Sequence, residues 1–397
     1  MKMIRTLAAA LLVSAGLVHG LMAEDAPAAD TGNEQGASFG FLSEKIKNHD
    51  KVFAGFIGGS ITCGSGASAF GNNYYWLTRL WLKDRITGQG AGFDADTAAI
   101  GGTNSVYGAY RIGAQLLSRN PDLLIMEYAV NDNSIVPYGT EVLDGMEGMV
   151  RQALACNPKM TIVFFYTTTA DLIAKYYSKG LVPPATKIHH MVAQRYGLLE
   201  VDAGSLVAKG LKDGTFTNKD FFADGVHPKD LGHAFYAKVL TQAIQSGLER
   251  SAPATVQPMP TPAGDAKYEY ARLAPIIPEG SAEGWTVVKN QWNWNGVELY
   301  KAAAPGKPLT FKVKGGKIQL VFEGRLKVSW VVNGAEKSQE IKGHDSEMPM
   351  PANWAFPDKL MPADGSAVTV EALPAPANGK FRAEIWGIFS IRKPDAK

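Results

Sequence analysis

The stretch Lys51-Val-Phe-Ala-Gly-Phe-Ile-Gly-Gly-Ser-Ile-Thr-Cys-Gly-Ser-Gly66 is an apolar run that ends at paired glycines and a serine. A run of this length, rich in β-branched and aromatic residues and bounded by glycine, is typical of a strand buried on both faces. Gly58 and Gly59 allow a sharp turn and a close approach to the next side chain. Ligands of open α/β sheets bind at the carboxyl ends of strands, so the stretch predicts Ser60 in an active site. A plain strand-to-helix turn capped by Ser60 is the alternative.

The alternation of buried strands and helices continues through residue 250. The apolar runs that predict further strands are Thr97–Ile100, Leu123–Val130, Thr161–Tyr166 and Leu199–Val201. The segments that predict helices are Tyr74–Ile86, 105–117, 141–155, Thr186–Tyr196 and Lys229–Gln245. Strands that alternate with helices form a parallel sheet covered on both faces. Residues 39–250 are therefore predicted to form a three-layer α/β/α domain.

The remaining segments differ from this domain in composition. Residues 1–23 combine a basic start with a short apolar stretch, which indicates a secretory signal peptide. Residues 24–38, rich in Ala, Asp and Gly, are predicted to be a mobile leader. Residues 251–264 contain four prolines and predict a semi-rigid, extended linker between separable domains. Residues 265–397 show short alternating runs between Gly, Pro and Asn turns, which is typical of a smaller all-β sandwich.

The charge balance narrows the range of partners. The chain has 40 basic and 38 acidic side chains, and removal of Lys2 and Arg5 with the signal peptide leaves the two signs equal. Nothing in that balance favours a nucleic acid or an anionic membrane. No later stretch is long and apolar enough to span a bilayer. We therefore expect a secreted or periplasmic protein without a membrane span.

Cysteine and histidine usage gives no sign of a metal or a cofactor. Cys63 and Cys156 are too few for a disulfide framework or a structural zinc site. They are predicted to remain unjoined. Cys63 follows Ser60 at the carboxyl edge of the sheet, whereas Cys156 ends a helix at the amino edge. These edges lie about 15 Å apart, and a disulfide needs Cα atoms within about 7 Å. His189-His190 lies in a helical stretch without the carboxylate spacing of a metal site, which favours a surface or rim position. No phosphate-binding glycine loop occurs.

The segment Phe221-Phe-Ala-Asp-Gly-Val-His-Pro228 offers a base for the serine, just before the last helix of the domain. Asp224 stands three residues before His227, close enough to accept a hydrogen bond from the imidazole Nδ1–H. Such a bond fixes the tautomer and stabilises the imidazolium that forms when His227 takes the serine proton. Pro228 prevents a helix from continuing through His227. Taken alone, the segment fits a solvent-exposed turn with a helix-capping Asp224 equally well.

An acyl-transfer site also needs hydrogen-bond donors directed at the developing oxyanion. Gly102 ends one predicted strand with a backbone N–H, Asn131 ends the next with a side-chain amide, and Ser60 has its own N–H. Taken singly, Gly101-Gly102 is a turn and Asn131-Asp132 is a helix cap. Four consecutive strand or helix ends thus supply a nucleophile, two hydrogen-bond donors and an Asp–His pair. This combination favours a catalytic site over a purely structural role for these residues.

The chain resembles the SGNH (GDSL-type) hydrolases, in which four ordered blocks carry Ser, Gly, Asn and Asp-x-x-His. The matching blocks are Gly58-Gly-Ser-Ile-Thr62, Ile100-Gly-Gly-Thr103, Ala129-Val-Asn-Asp132 and Asp224-Gly-Val-His-Pro228, within residues 53–248. The resemblance implies an SGNH-type fold with Ser60 as nucleophile and with Asp224 and His227 completing the triad. It implies an oxyanion hole formed by Ser60, Gly102 and Asn131, although Gly101 fits the glycine position as well.

Two positions depart from the family pattern. Gly59 replaces the Asp of the common Gly-Asp-Ser, and Ala129 replaces the Gly of Gly-x-Asn-Asp. The first change removes a side chain that is not one of the catalytic groups, so it bears on the subfamily and not on the chemistry. The α/β-hydrolases, whose nucleophile elbow is Gly-x-Ser-x-Gly, are disfavoured because position 62 is Thr and because Asp224 and His227 share one loop.

The second domain carries the only sequence signal for the substrate. Trp292 and Trp294 place two indoles on one face of a predicted strand. Aromatic platforms suit sugar rings, but large aromatics also dominate the cores of small sandwiches. With its appended β domain the chain resembles secreted carbohydrate esterases that remove O-acetyl groups, which implies an acetylated polysaccharide or oligosaccharide as substrate. A lipid or thioester hydrolase and a non-catalytic glycan-binding protein are the alternatives.

Overall fold

A five-stranded parallel sheet forms the centre of the first domain in the computed structural model, which describes residues 36–289, 297–313, 317–332, 335–343, 352–355, 366–375 and 381–391. Its strands are β1 (Val52–Gly58), β2 (Phe93–Thr97), β3 (Leu123–Glu127), β4 (Thr161–Tyr166) and β5 (Leu199–Asp202). They lie in the order β2-β1-β3-β4-β5. Because helices cover both faces, β1, β3 and β4 are buried along their whole length. The predicted parallel α/β architecture is confirmed.

The helices of this domain follow the strands in the predicted alternation. They are α1 (Gly36–Lys47), α2 (Ser60–Cys63), α3 (Tyr74–Thr87), α4 (Ser105–Gln115), α5 (Ala129–Asp132), α6 (Glu141–Cys156), α7 (Ala170–Lys175), α8 (Pro184–Tyr196), α9 (Ala203–Lys212), α10 (Asn218–Phe221) and α11 (Asp230–Glu249). Short 3-10 turns cover Phe70–Asn72, Leu117–Arg119, Val136–Tyr138 and Tyr177–Lys179. Separate apolar clusters lie on the two faces of the sheet.

The prediction of a strand at Thr97–Ile100 is wrong, because β2 ends where that run begins. β2 lies at the edge of the sheet, so alternate residues can be polar and partly exposed. Asp94 and Asp96 occupy such positions, and the Arg119 guanidinium pairs with them at 2.6 and 3.0 Å. An apolar run is therefore a poor marker for an edge strand.

Two further boundaries differ from the predictions. The strand predicted to run through Val130 ends at Glu127, and the chain turns there into α5. Helix α1 begins at Gly36, within the last residues of the predicted leader, and buries Phe39 and Leu42 against the first domain. The signal peptide and most of the leader lie outside the described residues.

The second domain is all-β and antiparallel, as predicted. Its strands are β6 (Ala271–Ala274), β7 (Trp285–Lys289), β8 (Glu298–Ala302), β9 (Pro308–Val313), β10 (Lys317–Val332), β11 (Ala335–Lys342), β12 (Ala352–Ala355), β13 (Ser366–Ala372) and β14 (Ala383–Ile391). β10, with 16 residues, is longer than the short runs by which the sequence predicts this domain. Its first half pairs with β12 and β14, and its second half pairs with β11 and β13.

The two domains share one apolar cluster, because β14 packs against α4. The ring of Phe389 stacks on Tyr110 with centroids 4.5 Å apart and an interplanar angle of 4°. Tyr107 meets the same ring edge-on at 4.9 Å. Both Trp386 and Phe389 are fully buried in this cluster. The β domain therefore covers a face of the first domain.

The proline-rich segment lies along the first domain instead of holding the domains apart. The Glu147 carboxylate of α6 accepts hydrogen bonds from the N–H groups of Ala263 at 2.6 Å and Gly264 at 2.9 Å. Arg151, also on α6, donates to the carbonyl of Pro260 at 2.8 Å. Side chains of α6 thus hold this part of the linker, whereas the separability of the two domains stays a prediction.

Cys63 lies in α2, whereas the exposed Cys156 ends α6, and neither takes part in a disulfide. The prediction that these two residues are not joined is confirmed. In the part of the chain that the structure describes, no helix has the length and apolar character needed to cross a membrane.

Replacing Phe389 by Ala tests the shared core. The substitution removes a fully buried ring from the contact between the domains, so we expect the free energy of unfolding to fall by about 3–5 kcal/mol. Urea denaturation followed by fluorescence measures it. Ile277→Ala is the matched control, because Ile277 is 73% exposed, and it should change stability by less than about 0.5 kcal/mol. Equal effects of the two substitutions would contradict the packing of β14 on α4.

Candidate active site

Ser60 lies at the carboxyl edge of the sheet, where β1 ends and α2 begins. At Gly58 an added Cβ would lie 2.2 Å from Thr62 Oγ1, so a side chain does not fit there. Ser60 is the first residue of α2, and Gly64, with a φ of +95°, caps the end of this helix. The first N–H groups of a helix have no partner inside the helix. The Ser60 N–H therefore has the position expected for an oxyanion donor.

His227 lies beside Ser60 and connects it to Asp224. Its Nε2 is 2.9 Å from Ser60 Oγ, and its Nδ1 is 2.7 Å from Asp224 Oδ2. Because an ionised carboxylate only accepts hydrogen bonds, Nδ1 carries the imidazole proton, and Nε2 is left to accept the serine hydroxyl proton. The structure thus brings together the three residues predicted as nucleophile, base and orienting carboxylate.

The Asp224 carboxylate is held in its ionised form by local hydrogen bonds. Its Oδ1 accepts from the N–H groups of His227 at 2.8 Å and Val226 at 2.9 Å. The backbone N–H of His227, together with the His227 ring, lowers the pKa of Asp224 to about 2. Asp224 therefore stays charged across the neutral range and can stabilise a protonated His227.

The loop that carries Asp224 and His227 is closed by its own backbone. The N–H of Ala223 donates to the carbonyl of His227 at 2.8 Å, and Phe222 bridges to Pro228. Gly225 has a φ of +85°, which the turn requires and which side chains disfavour. The carbonyl of Gly225 accepts from the N–H of Ala170 at 2.8 Å, which fixes the loop to the segment after β4.

Asn131 lies between the nucleophile turn and the Gly101–Thr103 turn. Its Nδ2 donates to the carbonyl of Thr103 at 2.8 Å. A side-chain amide has two N–H groups, so one donor remains for a substrate. A Cβ added at Gly59 would lie 3.0 Å from Asn131 Nδ2. A side chain at position 59 would therefore contact the Asn131 amide.

The glycine block lies directly beside the serine. A Cβ added at Gly101 would lie 3.6 Å from Ser60 Cβ, and Gly102 has a φ of +69°. The N–H of Ile100 donates to the carbonyl of Gly58 at 3.0 Å, which ties this turn to the end of β1. Both glycines are thus at the site, and the choice of Gly102 as the donor stays a prediction.

The prediction that His189 lies at the surface or rim is wrong. His189 is 1% exposed, and its Nε2 lies 2.7 Å from Oδ2 of Asp132, which is itself fully buried. The other oxygen of Asp132 accepts from the N–H of Ser105 at 2.9 Å. This pair ties α8 to the residue that follows Asn131. The neighbouring His190 is exposed, as predicted.

Other buried polar residues at this edge of the sheet were missed by the sequence analysis. Arg111 is fully buried and donates to the carbonyl of Ala98, to Gly58 O at 3.4 Å and to Tyr128 Oη at 2.9 Å. Glu127 is 2% exposed at the end of β3. Each of these charged residues interrupts an otherwise apolar segment. That interruption is the sequence feature from which a buried polar role could have been predicted.

Trp292 and Trp294, predicted as a sugar platform, lie outside the described residues. In the described ranges no group of three or more His, Cys, Asp or Glu side chains is placed to hold a metal ion.

The fold and this geometry together are typical of serine hydrolases. Residues 56–235, which lie within the first domain, match the model of the GDSL-like lipase/acylhydrolase family. The matched range contains Ser60, Asn131 and His227. A comparison with curated proteins gives no match.

Solved structures resemble the whole two-domain arrangement. A two-domain esterase, CEX, active on acetylated mannans and co-crystallized with mannopentaose, is 23% identical, with a TM-score of 0.68 over 90% of this chain and 95% of that chain. A second structure of CEX, active on acetylated mannans, is 21% identical, with a TM-score of 0.66 over 90% of this chain and 98% of that chain. At these identities the likeness establishes a shared fold in both domains.

The buried His233, which holds the loop beside the site, predicts a loss of stability in acid. Its Nδ1 accepts from the N–H of Tyr74, and its Nε2 donates to the carbonyl of Ser65. Burial lowers the pKa of His233 to about 4, from an ordinary value of about 6.5. Between these values the unfolded chain binds a proton that the folded protein does not. Stability should therefore fall by about 2–3 kcal/mol from this residue as the pH drops from 7 to 4.

Unfolding by urea at pH 7 and at pH 4 measures this effect in wild type and in His233→Gln. The variant should be less stable at pH 7, and the difference from wild type should shrink at pH 4. His190→Gln serves as the control because His190 is exposed. A constant difference between wild type and His233→Gln at both pH values would show that His233 is not held neutral.

Proposed function

We propose that this protein is an exported serine esterase that removes O-acetyl or other short acyl groups from a polysaccharide or oligosaccharide. The observation that carries the proposal is the chain of two hydrogen bonds from Ser60 Oγ through His227 to Asp224, at 2.9 and 2.7 Å. A serine whose hydroxyl bonds a carboxylate-oriented imidazole is the signature of an activated nucleophile.

In the proposed reaction, Ser60 Oγ attacks the carbonyl carbon of the ester while His227 Nε2 takes the hydroxyl proton. The C–O bond to the sugar then breaks, His227 returns the proton to the sugar oxygen, and the acyl group remains on Ser60. Water attacks this acyl-enzyme with His227 again as base, which releases the carboxylic acid and restores Ser60. Asp224 remains ionised throughout and stabilises the imidazolium in both steps.

The oxyanion of each tetrahedral intermediate would be held by the Ser60 N–H, the Gly102 N–H and the Asn131 amide. These donors come from three different segments at one edge of the sheet. Two observations favour this assignment: a hydrogen bond fixes Asn131 to Thr103, and Gly101 lies close to Ser60. Donors fixed before reaction need no reorganisation as charge develops, which is the main source of rate enhancement in such sites.

The shared two-domain fold makes acetylated mannan the first substrate to test, because CEX is described as active on acetylated mannans. We propose that Trp292 and Trp294 contact sugar rings of such a substrate. We also propose that residues 1–23 direct export, which fits a polymer outside the cytoplasm.

Replacing Ser60 by Ala should abolish hydrolysis of 4-nitrophenyl acetate, because the nucleophile is lost. Initial rates at saturating substrate measure the effect, and circular dichroism checks that the variant is folded. Ser118→Ala is the control, since Ser118 is an exposed serine that donates to the carbonyl of Ala114 within its own segment, and it should retain full activity. Hydrolysis by Ser60→Ala at the wild-type rate would rule out the proposed nucleophile.

Replacing Asn131 by Ala should lower kcat by about 10²–10³ with little change in KM, because an oxyanion donor acts mainly in the transition state. Steady-state kinetics with 4-nitrophenyl acetate separates the two constants. Asn157→Ala is the matched control, because Asn157 bonds Pro121 at the opposite edge of the sheet. If Asn131→Ala raises KM alone, Asn131 holds substrate and does not stabilise the oxyanion.

The substrate class is tested by measuring acetate release from three glycans: acetylated mannan, acetylated xylan and acetylated chitooligosaccharides. Triglyceride and phospholipid are included because a lipid hydrolase was the alternative. We expect acetate from at least one glycan and no release of long-chain fatty acid. Preferential release of fatty acid would favour the lipid alternative, and binding of glycan without any hydrolysis would favour a non-catalytic protein.

A further inference from the structure

Glu127 is a buried carboxylate behind the candidate active site that the proposed reaction does not use. It is the last residue of β3 and is 2% exposed. Its Oε2 accepts from Thr62 Oγ1 at 3.0 Å, and its Oε1 accepts from Thr167 Oγ1 at 2.7 Å. The backbone N–H of Gly59 also donates to this carboxylate. Three donors from two different segments thus converge on one side chain.

Two of these donors flank the proposed nucleophile. Gly59 immediately precedes Ser60, and Thr62 lies two residues after it in α2. The hydroxyl of Thr62 also bonds the hydroxyl of the buried Tyr74 at 2.7 Å. Glu127 therefore fixes the start of α2, and with it the Ser60 Cα, from both sides.

The third donor leads to the loop that carries the proposed base. Thr167 follows β4 directly, and three residues later the N–H of Ala170 donates to the carbonyl of Gly225. Gly225 lies between Asp224 and His227. The N–H of Thr168 donates to Tyr236 Oη at 3.1 Å, on the helix that follows His227. The segment held by Glu127 is therefore the one that supports the His227 loop.

The side chain at position 127 must accept three hydrogen bonds, and a carboxylate can do so. Each of its oxygens only accepts, and all three neighbours are donors. Burial raises the pKa of Glu127, whereas the two hydroxyls and the Gly59 N–H oppose that shift. An amide in its place would present an N–H₂ group to at least one of these donors. Leaving a buried donor without an acceptor costs about 1–3 kcal/mol, unless the turn moves to find another.

We propose that Glu127 is a positioning residue that sets the geometry between Ser60 Oγ and His227 Nε2 by joining the nucleophile turn to the segment supporting the His227 loop. This inference rests on the proposed serine esterase function. A misplacement of about 1 Å in an active site can cost 10²-fold in rate. Because the hydrogen bonds described for Glu127 go to Gly59, Thr62 and Thr167, we expect its loss to slow the chemical step without weakening substrate binding.

Glu127→Gln tests the proposal, with Glu200→Gln as the matched control. Glu200 is also a buried carboxylate near a strand end, 6% exposed, and it accepts from Tyr166 Oη at 2.8 Å and from Gln194 Nε2 at 3.0 Å. His190 Nδ1 also lies 3.0 Å from this carboxylate. The proposed site includes none of these three partners. The measurements are kcat and KM for 4-nitrophenyl acetate, the rate at which a fluorophosphonate labels Ser60, and Tm.

We expect Glu127→Gln to lower kcat and the labelling rate by about 10–100-fold, with KM within about twofold of wild type. Glu200→Gln should lose a comparable amount of Tm and keep kcat within about twofold. Wild-type kcat and labelling rate in Glu127→Gln, or an equal loss in both variants, would overturn the proposal. Because labelling needs no turnover, a wild-type protein that is labelled at Ser60 but hydrolyses no ester would count against the proposed function alone.

If Glu127→Gln does not fold, Thr167→Val tests whether the link between Glu127 and the segment after β4 positions Ser60 and His227. This change keeps the shape of the side chain and removes the one hydroxyl that links Glu127 to the segment after β4. We expect a fall of about 3–10-fold in labelling rate at unchanged KM, of the size produced by losing one hydrogen bond. A Thr167→Val protein that is labelled at the wild-type rate would overturn the proposal.

Discussion

The site depends on one contact between residues far apart in the chain: Ser60 and His227 are separated by 167 positions and meet with 2.9 Å between Oγ and Nε2. A parallel sheet makes such a contact feasible because every strand ends at the same edge. β1 delivers Ser60 there, and β3 and β4 deliver the residues next to it. The loop of His227 reaches this edge from the start of α11 and is fixed by the backbone bond between Ala170 and Gly225.

Buried polar side chains behind the strand ends maintain this contact. Glu127, Arg111 and the Asp132–His189 pair lie beneath the turns of Ser60, Thr103 and Asn131. Groups of this kind lose hydration on burial and repay that cost only when their hydrogen bonds are made. Because each bonds to more than one segment, a displaced turn would leave several groups unsatisfied at once. The arrangement therefore favours one placement of the turns over nearby alternatives.

The features predicted from the sequence are those encoded within a few neighbouring residues. Ser60 after a buried strand, and Asp224 three residues before His227, are local patterns, and the structure places both as expected. Glu127 was missed because its three donors come from other segments, and His189 was misplaced because its partner Asp132 is 57 residues away. The contacts of the linker were missed for the same reason: proline content predicts an extended backbone but not the side chains of α6 that bind it. An edge strand such as β2 lacks the apolar run that marks buried strands.

We propose that Ser60 forms a covalent acyl intermediate during ester hydrolysis. The most direct measurement is an acid quench of enzyme with excess 4-nitrophenyl acetate at the earliest accessible times, followed by intact-mass and peptide mass spectrometry. We expect one added acetyl group, located on Ser60, that disappears as substrate is exhausted. An acetyl group that forms and decays at the rate of hydrolysis on another residue would rule out Ser60 as the nucleophile.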